Sequence, residues 1–372
     1  MANKSKKIIE ELLDMAGIKI NGSNPYDIQV HDNRFYDRVL SQTALGLGES
    51  YMDGWWDCPA LDEFFTRILK ARLDEKVKGS FSVKWRILKT LLFNRQSKHR
   101  AFLVGRQHYD VGNDLYLKML DKRLVYTGGY WKNAENLDQA QEAKLELVCR
   151  KLGLKPGMTV LDLGCGWGSF AKYAAEKYQA EVTGLTVSKE QVELGRKLCK
   201  NLPVKLELAD YRMAQGKYDR VISIGIMEHI GYKNYKEYMR VTDRCLKEGG
   251  LAFIHTIGRN ESATKVNDWT DKYIFPNGMI PSIAQLGRAM ENYFVMEDWH
   301  NFGPDYDKTL MAWHANFEAG WPELKEKYGE RFYRMWRYYL LSSAAGFRAR
   351  QTQLWQIVMT RLGQEQPDCR IG

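Results

Sequence analysis

From residue 159 onward, short apolar runs alternate with longer amphipathic ones. The runs at 159–163, 181–186, 204–208, 219–224 and 250–257 are the length of strands, and the intervening segments repeat their apolar positions at helical spacing. Strand–helix alternation predicts a parallel sheet with right-handed crossovers. Two further runs, 294–302 and 354–360, predict a late pair of strands, each preceded by inserted helical segments. The expected fold is α/β, with a Rossmann-like sheet of about seven strands.

The first hundred residues differ. Ile8, Ile9, Leu12, Leu13 and Ala16 share one face of a helix expected over 5–17, which Gly17 and Asn21-Gly22 end. Residues 18–20 and 28–30 alternate briefly and predict two short strands. Phe35, Val39 and Leu40 mark a second helix, residues 45–56 a turn rich in glycine and aromatics, and the segment after Pro59 a third helix with Leu61, Phe64, Phe65, Ile68 and Leu69 inward. This part reads as a small, mainly helical domain over 1–105, leaving 106–372 for the sheet-bearing domain. Residues 108–152 again read helical, interrupted by Tyr126-Thr-Gly-Gly-Tyr-Trp131.

The first strand of the alternating region runs into Asp162-Leu-Gly-Cys-Gly-Trp-Gly168, with Ser169 opening a helix. Strand, glycine turn and helix make a nucleotide-binding corner, because the backbone can bend sharply and lie against a ligand with no Cβ in the way. The helix N-terminus adds unpaired N–H groups and a partial positive charge. The spacing is GxGxG rather than the dinucleotide fingerprint GxGxxG, and it suits S-adenosylmethionine. The usual plan of class I methyltransferases dependent on that cofactor agrees with the sheet, by analogy of fold.

In an open α/β sheet, ligands bind beyond the carboxyl ends of the strands. Those ends carry Asp162, Gly164 and Gly166, then Thr186, Val187 and Gln191, then Asp210, Glu228 and His255. An acidic residue commonly holds ribose hydroxyls after the second strand; Thr186 stands here, so Gln191 or a water takes that role. Asp210 reads either as an acceptor for the adenine amino group or as a helix N-cap. Glu228 reads as a carboxylate beside the reacting methyl or as a turn residue, and His255 as a strand-end site residue or as core.

Charge adds a possible partner class. The net charge is +9, and residues 76–109 hold nine Lys and Arg with no acidic residue. Within this stretch 83–93 places Val83, Trp85, Ile87, Leu88, Leu91 and Leu92 on one arc. A basic amphipathic helix bearing Trp reads either as a membrane-surface element or as a helix docked on its own protein. The six cysteines form no CxxC pair, which argues against a zinc site or a disulfide framework and for a reducing cytoplasm. No apolar run approaches the roughly 20 residues of a membrane span, so any membrane contact is expected to be peripheral.

The segments Tyr109-Asp-Val-Gly-Asn-Asp114, Asp162-Leu-Gly-Cys-Gly-Trp-Gly168, Gly184-Leu-Thr-Val-Ser-Lys-Glu-Gln191, Glu228-His229, His255-Thr-Ile-Gly258, Lys272-Tyr-Ile-Phe-Pro-Asn-Gly278 and Asp298-Trp-His-Asn-Phe302 resemble the cyclopropane-fatty-acyl-phospholipid synthases. The resemblance covers nearly the whole chain, and the helical first domain matches the bacterial two-domain type. It implies transfer of a methylene from S-adenosylmethionine to a cis double bond of a phospholipid acyl chain, through a carbocation deprotonated by a bound bicarbonate. It further implies that Glu228, His255 and Tyr306, with backbone groups of Gly128 and Ile257, hold the bicarbonate. Tyr126, Thr127, Asp162, Gly164, Gly166, Thr186, Val187, Gln191 and Asp210 would meet the cofactor. The family commonly has Cys where Gly128 stands. Trp269, Tyr273, Phe275 and Tyr306 are aromatic candidates for facing the cation. The implied partners are an anionic phospholipid surface and a second copy of the chain, with no nucleic acid and no metal, at the inner face of the cell membrane. Two rival readings are a methyltransferase for another lipid or a small amine, and a non-catalytic lipid-binding relative.

Overall fold

The computed structural model describes residues 2–72 and 111–371. The basic stretch at 76–109 and its segment 83–93 lie outside the described residues, as do Tyr109 and Asp110. In chain order the described elements begin with α1 (Ala2–Asp14), β1 (Gln29–Val30), α2 (Arg34–Met52), β2 (Trp56–Asp57) and α3 (Leu61–Lys70). They continue with α4 (Asn113–Met119), α5 (Leu137–Lys151), β3 (Thr159–Leu163), α6 (Ser169–Tyr178), β4 (Glu181–Thr186), α7 (Lys189–Leu198), β5 (Val204–Leu208) and β6 (Tyr218–Ile224). The remainder are α8 (Met227–Ile230), α9 (Tyr235–Cys245), β7 (Leu246–Arg259), α10 (Asp268–Tyr273), α11 (Ile283–Met290), β8 (Val295–Asn301), α12 (Pro304–Arg348) and β9 (Thr352–Thr360).

Contacts divide the chain into two compact units, one of residues 1–93, 266–276 and 307–352, the other of 94–265, 277–306 and 353–372. This division differs from a single cut at residue 105, because two later segments join the N-terminal helices.

In the first unit the expected strands reduce to one bridge between Ile20 and Ile28 and to the pairing of β1 with β2. The glycine-rich turn expected over 45–56 is instead mostly the second half of α2, which is kinked at Thr43 and runs to Met52. Gly48 explains the difference: a Cβ there would stand 2.3 Å from the Trp269 ring, so this glycine serves close packing inside a helix rather than a turn. Glu49 sits beside it and accepts from Arg38, Lys272 and Tyr273. Although burial opposes the charge, these partners hold its carboxyl down at about 2. Tyr51, Trp56, Phe64, Phe65 and Tyr338 form an aromatic core, with the Arg334 guanidinium 4.1 Å above the Tyr51 ring. Trp269 packs on Tyr338 at 4.4 Å.

The second unit holds a seven-stranded sheet in the order β5-β4-β3-β6-β7-β9-β8. The pairs β3–β4, β3–β6, β4–β5 and β6–β7 are parallel, and β8–β9 is antiparallel. All seven strands were legible as apolar runs. Alternate side chains supply two cores, one on each face. Val160, Val182, Leu206, Ile222 and Phe253 pack with Leu145, Val148, Phe170 and Val192 of α5, α6 and α7. Leu161, Leu163, Val221, Ile254 and Ile357 pack with Tyr238, Met239, Leu286 and Met290 of α9 and α11. Both faces being covered, the functional groups gather where the backbone leaves the sheet, at the strand carboxyl ends.

Candidate active site

The turn after β3 is built from left-handed backbone. Gly164, Gly166 and Gly168 have φ of 91°, 57° and 81°, which favour glycine over any residue with a Cβ. A Cβ on Gly166 would meet nothing within 4 Å, so the turn borders open space there. The turn is fixed from behind, where Trp167 donates to Asn113 at 3.0 Å and Ser169 donates to the Leu124 carbonyl at 3.0 Å. Tyr116 meets the rings of both Trp167 and Tyr126, at 5.0 and 5.1 Å.

At the end of β4, Thr186 donates to Gln191 Oε1 at 2.8 Å and accepts from the Ser188 amide. Ser188 caps α7 by accepting from the Gln191 amide. Val187 is half-buried beside this buried set. At the end of β5, Asp210 caps the single turn at Tyr211–Met213 and pairs with Arg212 at 2.6 Å. The N-cap reading of Asp210 is therefore realised, and its carboxylate is already engaged by the Arg212 side chain.

Further polar groups stand at the ends of β6 and β7. Glu228, on α8, accepts from the Ile257 amide through Oε1 at 2.6 Å, while the Ile257 carbonyl accepts from Thr256. The backbone of Ile257 thus aims the carboxyl. Glu228 Oε2 is buried with no partner among the described residues. Burial pushes this carboxyl up to about 7, so its proton is shareable near neutrality. His255 is two residues before Ile257 on β7, and its Nε2 is likewise buried and unpartnered. Burial, with Lys144 and Lys151 nearby, holds its ring well below the usual imidazole range, hence neutral.

Gly128 is sealed by two side chains. A Cβ there would lie 2.5 Å from Leu354 Cδ2 and 3.0 Å from Tyr306 Cγ. Tyr306 is itself buried. Leu354 and Gln356 are two apart on β9, and Gln356 reaches His255 at 3.5 Å. β9 thus carries both Leu354, which meets Gly128, and Gln356, which meets His255.

The candidate aromatics separate. Trp269, Tyr273 and Phe275 belong to the first unit, and Tyr306 to the second. Among the described residues, no group of three or more His, Cys, Asp or Glu is placed to hold a metal ion. No helix among them is long and apolar enough to cross a membrane.

Three residues escaped the sequence reading. Lys144 and Gln141, one helical turn apart on α5, both reach Thr127: Lys144 donates to its hydroxyl at 3.0 Å and Gln141 to its carbonyl at 2.7 Å. Lys144 is fully buried, and burial pulls its ammonium down to about 7. Asp162 is buried opposite, its carboxyl pushed up to about 7, each group favouring the other's charged form. Gln356 is the third. Polar residues inside apolar helix or strand runs were the only available signal, and nothing in the sequence told which way they pointed.

The family model for mycolic acid cyclopropane synthetase matches residues 96–357. The chain is 52% identical over 355 residues to the cyclopropane-fatty-acyl-phospholipid synthase of Escherichia coli (strain K12), covering 95% of this chain and 93% of that one. Among solved structures it resembles a cyclopropane synthase from Mycobacterium tuberculosis, at 27% identity and a TM-score of 0.66, over 69% of this chain and 97% of that one. A mycolic acid cyclopropane synthase complexed with SAH and CTAB matches at 31% identity and a TM-score of 0.66, with the same coverage.

Proposed function

The chain belongs to the mycolic acid cyclopropane synthetase family, and we propose from that premise that it transfers a methylene from S-adenosylmethionine to the cis double bond of phospholipid acyl chains, closing a cyclopropane ring. Identity across 95% of the chain to a phospholipid enzyme supports the lipid substrate. The observation that carries the chemistry is the pair of buried, unpartnered atoms, Glu228 Oε2 and His255 Nε2. Leaving such atoms unsatisfied costs about 1–3 kcal/mol each, so each suits a polar ligand.

The residues present fit both groups that the reading requires. The left-handed glycine turn, open at Gly166, suits S-adenosylmethionine; in this reading Tyr126, Thr127, Asp162, Gly164, Thr186, Val187, Gln191 and Asp210 would meet it. In this reading Glu228, His255 and Tyr306, with backbone groups of Gly128 and Ile257, would hold bicarbonate. When bound, S-adenosylmethionine supplies the one-carbon unit and bicarbonate a proton acceptor.

The protein's own work is alignment, desolvation and proton placement. An alkene is a weak nucleophile, so its attack needs a fixed approach and exclusion of water. The seal of Tyr306 and Leu354 over Gly128 excludes water on that side. The Tyr306 ring offers π density to a lipid carbocation without a reactive lone pair on its face. Glu228 keeps a shareable proton on Oε2 and is held by the Ile257 amide. The neutral His255 ring offers an N–H to an oxyanion.

The basic stretch at 76–109 suits an anionic phospholipid surface, which makes the protein a peripheral membrane enzyme of the cytoplasmic face. Pairing into a homodimer is part of the reading only through the family resemblance.

Lipid mass spectrometry tests the function. The protein is incubated with S-adenosylmethionine, bicarbonate and vesicles of a cis-monounsaturated anionic phospholipid. The expected product is one CH₂ heavier and survives mild hydrogenation. A product of that mass that takes up hydrogen is a methylated alkene and overturns ring closure; no mass gain overturns the acceptor.

A further inference from the structure

Gln356 has no part in the chemistry described so far. It lies on β9 with 0% exposure, in a run of apolar residues, and a glutamine at such a place needs a polar reason. Its amide nitrogen meets His255 Nδ1 at 3.5 Å. Its Oε1 is buried with no partner among the described residues. The amide turns its nitrogen, not its oxygen, toward the His255 ring.

This contact matters because the ring is neutral. A neutral imidazole has one N–H, on either Nδ1 or Nε2, and the neighbour of one nitrogen decides the state of the other. An amide N–H facing Nδ1 requires Nδ1 to accept. The proton then resides on Nε2, which is the buried atom lacking a partner. We infer that Gln356 is a positioning residue that locks His255 in the Nε2–H tautomer, so that this ring can only donate, never accept, toward an anion held at that nitrogen. The inference rests on the oxyanion reading for the identity of the anion but not for the tautomer. The 3.5 Å separation is long, and such contacts commonly shorten when the ligand is bound.

The wrong tautomer would turn a lone pair toward the anion, replacing an attraction with a repulsion. The effect would fall on turnover and on anion use.

The experiment is ¹⁵N NMR of the full chain labelled at histidine, with His255→Gln assigning the resonance. Wild type should show Nε2 protonated and Nδ1 unprotonated, with the Nε2–H signal moving on addition of bicarbonate. Gln356→Met, matched in length but without a donor, should give a mixture of tautomers. Its kcat should fall about tenfold or more while KM for S-adenosylmethionine stays within about twofold. An Nδ1–H resonance in wild type overturns the inference, and that spectrum decides the matter even if the variant does not fold. An unchanged tautomer and kcat in folded Gln356→Met also overturns it. A wild-type Nε2–H tautomer with turnover and signal indifferent to bicarbonate supports the lock and overturns the bicarbonate reading instead.

Discussion

Glu228 and Ile257 are joined by a 2.6 Å hydrogen bond from backbone amide to carboxyl. The bond uses one carboxyl oxygen and leaves the other buried and unmatched. One end of the side chain is thereby an anchor and the other a working atom. Its position on α8 and the amide's on β7 are set by the parallel pairing of β6 with β7.

Glu228→Gln keeps the anchor and offers an amide N–H at the working end at every pH. Turnover at a fixed bicarbonate concentration should fall in wild type as pH rises past about 7, and this limb should vanish in the variant. The linkage has a defined sign. A carboxyl raised from 4.5 to about 7 stabilises the fold most below 4.5, and that contribution is lost as pH rises through 7. Glu228→Gln should therefore be the more stable protein at pH 8, by up to about 3 kcal/mol, and near parity at pH 4. Urea unfolding at the two pH values checks it.

Glu228→Asp shortens the reach by one methylene. It should cost about 10²-fold or more in turnover while S-adenosylmethionine affinity changes little. Equal losses in calorimetric binding and in kcat would argue against a role in proton transfer.

Gly128→Cys must displace the Leu354 methyl or the Tyr306 ring, at about 1–3 kcal/mol. Turnover should drop, and Leu354→Ala in the same chain should recover part of it by opening the space. Recovery of stability without activity would show that the Tyr306 position, not the volume, is what matters.

Lys144→Met and Thr127→Val each remove the same hydrogen bond. Each should weaken S-adenosylmethionine binding by about 1–2 kcal/mol, and the double variant should lose little more than either alone. Calorimetric affinities of the four proteins complete the cycle; additive losses would separate the two residues.

Binding to vesicles of anionic phospholipid should weaken as salt rises from about 0.05 to 0.5 M, since the Debye length over which exposed charges act falls from about 14 Å to about 4 Å. A sedimentation assay reads it. Salt-insensitive binding would leave the basic stretch without an electrostatic role.

The sequence alone determined the sheet, the glycine turn and the residues at the strand ends. Burial on both faces forces parallel strands into apolar runs, left-handed backbone requires glycine, and ligands collect where strands end. It misjudged residues 45–56, because a glycine in a helix and a glycine in a turn look alike until Trp269 is seen against Gly48. Tertiary structure alone decided which polar side chains point at one another. Lys144 against Thr127, Gln356 against His255 and Leu354 over Gly128 join residues far apart in the chain. Periodicity reports which face a residue occupies, but not what stands across from it.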